Sequence, residues 1–438
     1  MRKLYKHTGF VLILCFILSV CLFDTSCGED NSVYTFDYNG ETAYVKGEEF
    51  KNGTLAVYKD GDLYKTTTID KTVIDNFSTE NTVKSEFMIK FENKTFSVPY
   101  YVCEKINVKS QPDRTTADGI RVYENIYYGD RTETPLEIDD TQKFDLYLPA
   151  EINEDTSVLL FLHGGSWLHG TKNNRSEAEF CEKTTKECGY ACFSMNYILQ
   201  SATNPRTAAT MEAMTSDIAI MTAYLKHFLP EIGINATKIA IGGYSAGGHL
   251  SSLYAYKYGS SSPVEIGFNL SLAGPVQLSD GAYREVIEHI LHKEPLTEIP
   301  ENYLFALNSL IPPVVSAFLG TKVSDFNFHS DDLSELFNEI GKYSPIEFVS
   351  DISCPTILAY GDTPKEYENL PFKIFPDKYI NDTIIPTENF YNLRQKLNDN
   401  AIINSARLFN GLTHEYVISD AQCIEWVLSQ LNIFKNYL

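Results

Sequence analysis

Basic residues are scarce in this 438-residue chain: 36 Lys and Arg stand against 58 Asp and Glu, a net charge of −22. Nucleic-acid binding depends on clustered Lys and Arg that displace counterions from phosphates, so a nucleic-acid binder is excluded. The same deficit weighs against docking of the folded surface on anionic membranes. Long apolar runs are also lacking. The uncharged stretch Phe10–Phe23 has 14 residues, short of the roughly 20 needed to span a bilayer. Cys181, Cys188 and Cys192 lie near one another, but no CxxC pair or His-x-His cluster accompanies them, so a zinc site is not indicated. No repeat, heptad or collagen-like period occurs. What is present is ordinary globular usage, 43% hydrophobic and 21% charged, enough for a sizeable core.

The N-terminus reads as an address. Arg2, Lys3 and Lys6 precede the apolar run, and residues 1–27 together have the build of a signal peptide. Cys27-Gly28 resembles the lipid-modified cysteine of a bacterial lipoprotein, although Asp24 stands where that signal has an aliphatic residue. Cleavage near Ser26 is the alternative. The expected location is secreted or cell-surface anchored, with membrane attachment through a lipidated Cys27. Beyond this segment six cysteines remain, and an exported chain permits disulfides whose pairing the sequence does not assign.

Residues 28–108 read as short strands with turn signals. TLAVYKDGDLYKTTTI forms a hairpin around Asp60-Gly61, and FMIKFENKTFSVPYYV forms another around Asn93-Lys94. The pattern resembles a bacterial immunoglobulin-like β-sandwich module, which implies a spacer or a weak adhesion element. Polar residues with Pro112 and Gly119 make 109–119 a linker.

Residues 120–438 alternate apolar strand-like runs (VLLFLH, ACFSMNY, KIAIGGYS, NLSLAG, PTILAYG) with amphipathic stretches such as TSDIAIMTAYLKHFLPEI. That alternation predicts a doubly wound, mostly parallel sheet covered by helices on both faces. Gly243-Tyr244-Ser245-Ala246-Gly247 sits between the strand KIAIGG and the helix-like GGHLSSLYAYKY. A G-x-S-x-G turn in that setting presents the Ser245 hydroxyl at a strained strand-to-helix elbow, which makes Ser245 the candidate nucleophile. His163-Gly164-Gly165-Ser166-Trp167 follows the strand VLLFL. Glycines there let backbone N–H groups approach an oxyanion, and the expected donors are Gly164, Gly165 and Ala246, with Ser166 as a substitute. His163 is read as a histidine that orders this loop, and Asp217 as a structural carboxylate.

With HGGSW ahead of the serine elbow, the chain resembles the α/β-hydrolase superfamily in its HGG-containing esterase/lipase group, which includes carboxylesterases, acetyl- and feruloyl-type esterases and kynurenine formamidases. FDLYLP, GYACFSMNYIL, GGYSAGGHL and LAGPVQL support it over nearly all of 120–438. The resemblance implies the chain order Ser, acid, His. His414 in GLTHEYV follows the strand-like ARLFN and fits the base. For the acid, Asp382 in DTIIP lies 32 residues before His414 and matches the family's Asp-x-x-aliphatic-Pro pattern, while Asp362 in YGD, at the strand end, is the alternative. The segment of about 279–343, rich in Leu, Phe and Ile, stands where such folds insert a helical cap. The expected function is an exported serine esterase acting through a Ser245-His414-Asp382 triad and an acyl-enzyme on a small-molecule or glycan-linked ester, with no metal or cofactor. An amidase or peptidase on the same triad and a non-catalytic surface adhesion protein are the alternatives.

Overall fold

The computed structural model describes residues 109–129, 142–200, 209–259, 262–278, 314–320, 334–362 and 385–438, together with the backbone of short strands between 18 and 103. In that N-terminal part, strands Val33–Tyr38, Glu41–Lys46, Thr54–Lys59 and Asp62–Thr68 pair antiparallel in chain order. Thr82–Phe91 pairs antiparallel with Lys94–Cys103. Lys59 lies opposite Asp62 and Phe91 opposite Lys94, so both hairpins turn within a residue of the expected sites. The proposed sandwich core and Cys27 lie outside the described residues.

A nine-stranded sheet dominates the rest. Its strands are β1 (Arg114–Thr115), β2 (Arg121–Tyr127), β3 (Lys143–Leu148), β4 (Val158–Leu162), β5 (Ala191–Met195), β6 (Lys238–Tyr244), β7 (Glu265–Leu272), β8 (Thr356–Gly361) and β9 (Asn404–Phe409). Across the sheet they run β9-β8-β7-β6-β4-β5-β3-β2-β1. Six neighbours from β9 to β5 are parallel, and β3, β2 and β1 join antiparallel. Every residue of β4, β5 and β8 is buried, as expected of parallel strands covered on both faces.

Helices α1 (Arg175–Cys188), α2 (Met211–Glu231), α3 (Ala246–Lys257), α4 (Ser334–Gly341), α5 (Glu388–Asp399) and α6 (Ala421–Phe434) accompany the strands. Thr210 caps α2, accepting from the Ala213 amide at 3.1 Å, and Asp420 caps α6 through Cys423 at 2.9 Å. Helix α2 is not the one-faced amphipathic helix its sequence suggested: consecutive residues Asp217–Leu225 are all buried. Asp217 is satisfied there by Gln142 Nε2 at 2.9 Å and the Ile198 amide at 2.8 Å, a structural task that ties the β5 exit to the helix.

One expected boundary is corrected. The segment 109–119 is not a linker, because Arg114–Thr115 pairs with Arg121–Val122 and closes an edge hairpin of the large sheet. Gly119, at φ +80°, makes the turn, and the Thr116 amide donates to the Ile120 carbonyl at 2.9 Å. Its polar, glycine-containing composition is that of a hairpin turn rather than of a tether. Of the proposed cap, residues 314–320 and 334–343 are described, and 314–319 are helical. Cys181, Cys188, Cys192, Cys354 and Cys423 carry free thiols, all buried except the half-buried Cys354. Burial pushes the thiols of Cys188, Cys354 and Cys423 up to about 12, so they are packing groups rather than nucleophiles.

Candidate active site

The sheet changes winding direction at β4, which hydrogen-bonds β5 on one side and β6 on the other. In open α/β sheets the crevice outside the carboxyl ends at such a switch point is where ligands bind. Register sets what meets there. Leu162 pairs with Gly243, so His163-Gly164-Gly165 leaves β4 level with Ser245 leaving β6. Gly361 pairs with Phe409, which brings Asp362 and the loop carrying His414 to the same edge.

Ser245 adopts φ 54°, ψ −119°, a region costly for a residue with a Cβ, and the first residue of α3 follows it. Its amide donates to the Leu272 carbonyl at 2.8 Å, which pins the elbow. The elbow needs glycine at its end, since a Cβ on Gly247 would come within 2.1 Å of the Leu162 carbonyl. His414 opens a short 3-10 turn, Thr413 before it being extended. Its Nε2 lies 3.0 Å from Ser245 Oγ, and both side chains are buried. This is hydrogen-bond distance for a base and the proton it would remove.

Tyr244, the variable residue of the motif, braces that pair. Its hydroxyl donates to the His414 carbonyl at 3.1 Å, and its ring lies 5.2 Å from the imidazole at 32°. The same ring packs on Gly164, where a Cβ would be 2.8 Å from Tyr244 Cδ1. Tyr244 therefore wedges between the glycine loop and the histidine loop.

The expected oxyanion donors stand in different hydrogen-bond settings. The Gly164 amide donates to Glu177 Oε1, 3.3 Å away on α1, which anchors the loop. Glu177 is itself buried and accepts from Ser176 Oγ at 2.6 Å. Nothing in the sequence marks Glu177, which is 13 residues from Gly164 in the chain. Gly165 at φ +118°, Ser166 at 52° and Trp167 at 60° then turn the chain sharply. The Gly165 carbonyl accepts from Leu168 and His169. The amides of Gly165, Ser166 and Ala246 have no acceptor among the described residues. The substitute donor Ser166 thus stands beside Gly165 and Ala246 as the available set.

His163 is fully buried, stacks on Tyr197 with ring centroids 4.4 Å apart, and has Nδ1 2.7 Å from the Gly164 carbonyl. Burial pushes it down to about 4, and burial pushes His249 on α3 down to about 3. Both stay neutral in the folded chain while the unfolded chain takes up protons below the usual 6.5. Their contribution to stability is full above pH 6.5 and is lost as pH falls toward 4. The expected slope is about 1.4 kcal/mol per pH unit for each histidine. Denaturant titrations between pH 7 and 4.5 check this: His163→Phe should remove one of the two protons from the slope, and an unchanged slope would refute it.

Asp362 ends β8 with its amide on the Phe409 carbonyl at 3.2 Å and its Oδ1 on the Gly411 amide at 2.8 Å. It thereby ties β8 to the turn that leads to His414. Asp382 lies outside the described residues.

A parallel sheet with a serine elbow on β6 and a histidine after β9 defines an α/β-hydrolase. Residues 144–366 match the BD-FAE family, slightly more than half the chain, and the protein belongs to that family. A stretch of 98 residues is 37% identical to the probable carboxylic ester hydrolase LipM of Mycobacterium tuberculosis; it covers 22% of this chain and 21% of that protein. This chain thus aligns with only about a fifth of LipM. A truncated form of a carbohydrate esterase from gut microbiota has the same fold, with a TM-score of 0.50 and 16% identity over 74% of this chain and 99% of that one.

Proposed function

We propose that the protein is an exported serine hydrolase of carboxylic esters, acting on an ester borne by a small molecule or a glycan. The observation that carries this reading is the 3.0 Å contact between His414 Nε2 and the hydroxyl of a strained, buried Ser245 at the sheet's carboxyl edge. Family membership and the LipM similarity point to the same chemistry.

In this mechanism His414 takes the Ser245 proton as Oγ attacks the ester carbonyl, forming a C–O bond and a tetrahedral oxyanion. The amides of Ala246 and of Gly165 or Ser166 stabilise that oxyanion, each contributing about 3 kcal/mol at the transition state. His414 returns the proton to the departing alkoxide, leaving an acyl-Ser245. Water, losing a proton to His414, then attacks the acyl carbonyl, and His414 gives that proton to the departing Ser245 Oγ, releasing the acid and restoring the serine. Asp382 orients the imidazole and stabilises its cation. Export, with Cys27 lipidated or cleavage near Ser26, rests on the basic and apolar residues of 1–27.

Hydrolysis of p-nitrophenyl acetate, butyrate and octanoate, set beside p-nitroacetanilide, tests the reading. Saturable ester turnover with much slower anilide turnover is expected. A folded protein that cleaves only the anilide would be an amidase, and one inert to all four would not be a hydrolase of this kind.

A further inference from the structure

Near the serine elbow, two buried polar atoms lack a partner among the described residues. Trp167 is 8% exposed, and its indole Nε1 has no hydrogen-bond partner among the described residues; His249 is fully buried, and its Nδ1 has none among them either. Their rings are neighbours, with centroids 5.1 Å apart and planes at 87°. Both belong to the machinery's frame. Trp167 closes the HGGSW turn, its carbonyl accepting from the Gln200 amide at 2.9 Å. His249 stands one helical turn after Ser245, its amide donating to the Ser245 carbonyl at 2.9 Å.

The chemistry of the two atoms is complementary. His249 Nε2 is 2.8 Å from the Tyr343 carbonyl, which can only accept, so Nε2 carries the proton and donates. The neutral imidazole then presents a bare lone pair at Nδ1. Trp167 Nε1–H can only donate. A carboxylate would face the Nδ1 lone pair, and an ammonium would face the indole N–H. A hydroxyl satisfies both, accepting from Trp167 and donating to His249. The surroundings are aromatic: Phe318, from the helical segment 314–319, lies 5.3 Å from the Trp167 ring and 6.1 Å from the His249 ring. Buried polar groups of this kind are ordinarily paired.

We propose that Trp167 Nε1 and His249 Nδ1 form a hydroxyl-binding subsite beside the serine elbow. Resting on the esterase reading, this deepens it: the favoured substrate is the ester of a polyhydroxy alcohol, whose free hydroxyl occupies the subsite. A bound water would offer the same chemistry.

Cyclohexyl acetate and trans-2-acetoxycyclohexanol differ by one hydroxyl and separate these sources. If the hydroxyl comes from substrate, the wild-type protein prefers the hydroxylated ester by about tenfold in kcat/KM, and Trp167→Phe brings the ratio close to one. If it comes from water, the ratio is near one in both proteins, and a crystal structure of the wild type shows an ordered oxygen within hydrogen-bond distance of both atoms that is lost in Trp167→Phe. A ratio near one with no such oxygen overturns the subsite, the indole N–H then being spent on a neighbouring ring face. If neither ester is turned over, the esterase reading fails, and crystals of the wild-type protein soaked with trans-1,2-cyclohexanediol still decide whether the subsite holds a hydroxyl.

Discussion

Replacing Ser245 by alanine is expected to lower kcat for ester hydrolysis by about a million-fold while the protein stays folded. The size of the effect follows from the role proposed for the serine: without Oγ there is no covalent step, and His414 has no hydroxyl to deprotonate. Activity should not fall to that of water. The amides of Gly165, Ser166 and Ala246 belong to the backbone and survive the substitution, so residual polarisation of a bound carbonyl remains, about a thousand-fold over the uncatalysed rate. Stability should change little, because alanine carries the same Cβ through the left-handed turn at φ 54° and the pinning bond from residue 245 to the Leu272 carbonyl is made by the backbone. Burst kinetics on p-nitrophenyl acetate give the check, with near-ultraviolet circular dichroism to establish folding. Retention of more than about a hundredth of the activity would transfer the nucleophile's role elsewhere and sink the acyl-enzyme mechanism.

How much of this was legible from residues alone depends on the range of the forces involved. VLLFL, ACFSM and TILAYG read as buried parallel strands because burial on both faces leaves no polar alternation, and each forms a fully buried strand. The serine elbow was legible because close backbone approach demands glycine at fixed spacing, as the 2.1 Å clash at Gly247 illustrates. The pairing of Ser245 with His414, 169 residues apart, came from chain order in a resembled fold, not from any local signal. Where long-range partners decide, the sequence was mute. Glu177 claims the Gly164 amide across 13 residues, and Tyr244 reaches His414 across 170. Arg114–Thr115 pairs as an edge strand although its composition is that of a connector, because two residues of strand are too few to show a period. The burial of Asp217 on α2 likewise depends on its distant partners Gln142 and Ile198, which no periodicity reveals.

The acid is separated by two asparagine substitutions, Asp382→Asn and Asp362→Asn, with expected effects that differ by orders of magnitude. The imidazole of His414 is almost wholly buried, and in the proposed mechanism it becomes a cation away from water during each proton transfer. A carboxylate on its second nitrogen is what makes that cation tolerable and holds the tautomer that leaves Nε2 facing Ser245. An amide in its place removes the charge and can hold the wrong tautomer, which costs about ten thousand-fold in kcat. That loss is expected for Asp382→Asn, because Asp382 lies in the DTIIP sequence 32 residues before the histidine. Asp362 has other work. Its Oδ1 accepts from the Gly411 amide at 2.8 Å, and asparagine keeps an oxygen that can do the same. Asp362→Asn should therefore cost no more than about tenfold, through loosening of the turn that carries His414. Measured on p-nitrophenyl butyrate, the reverse order of effects would make Asp362 the acid. The Gly411 bond would then serve to aim its carboxylate at the imidazole.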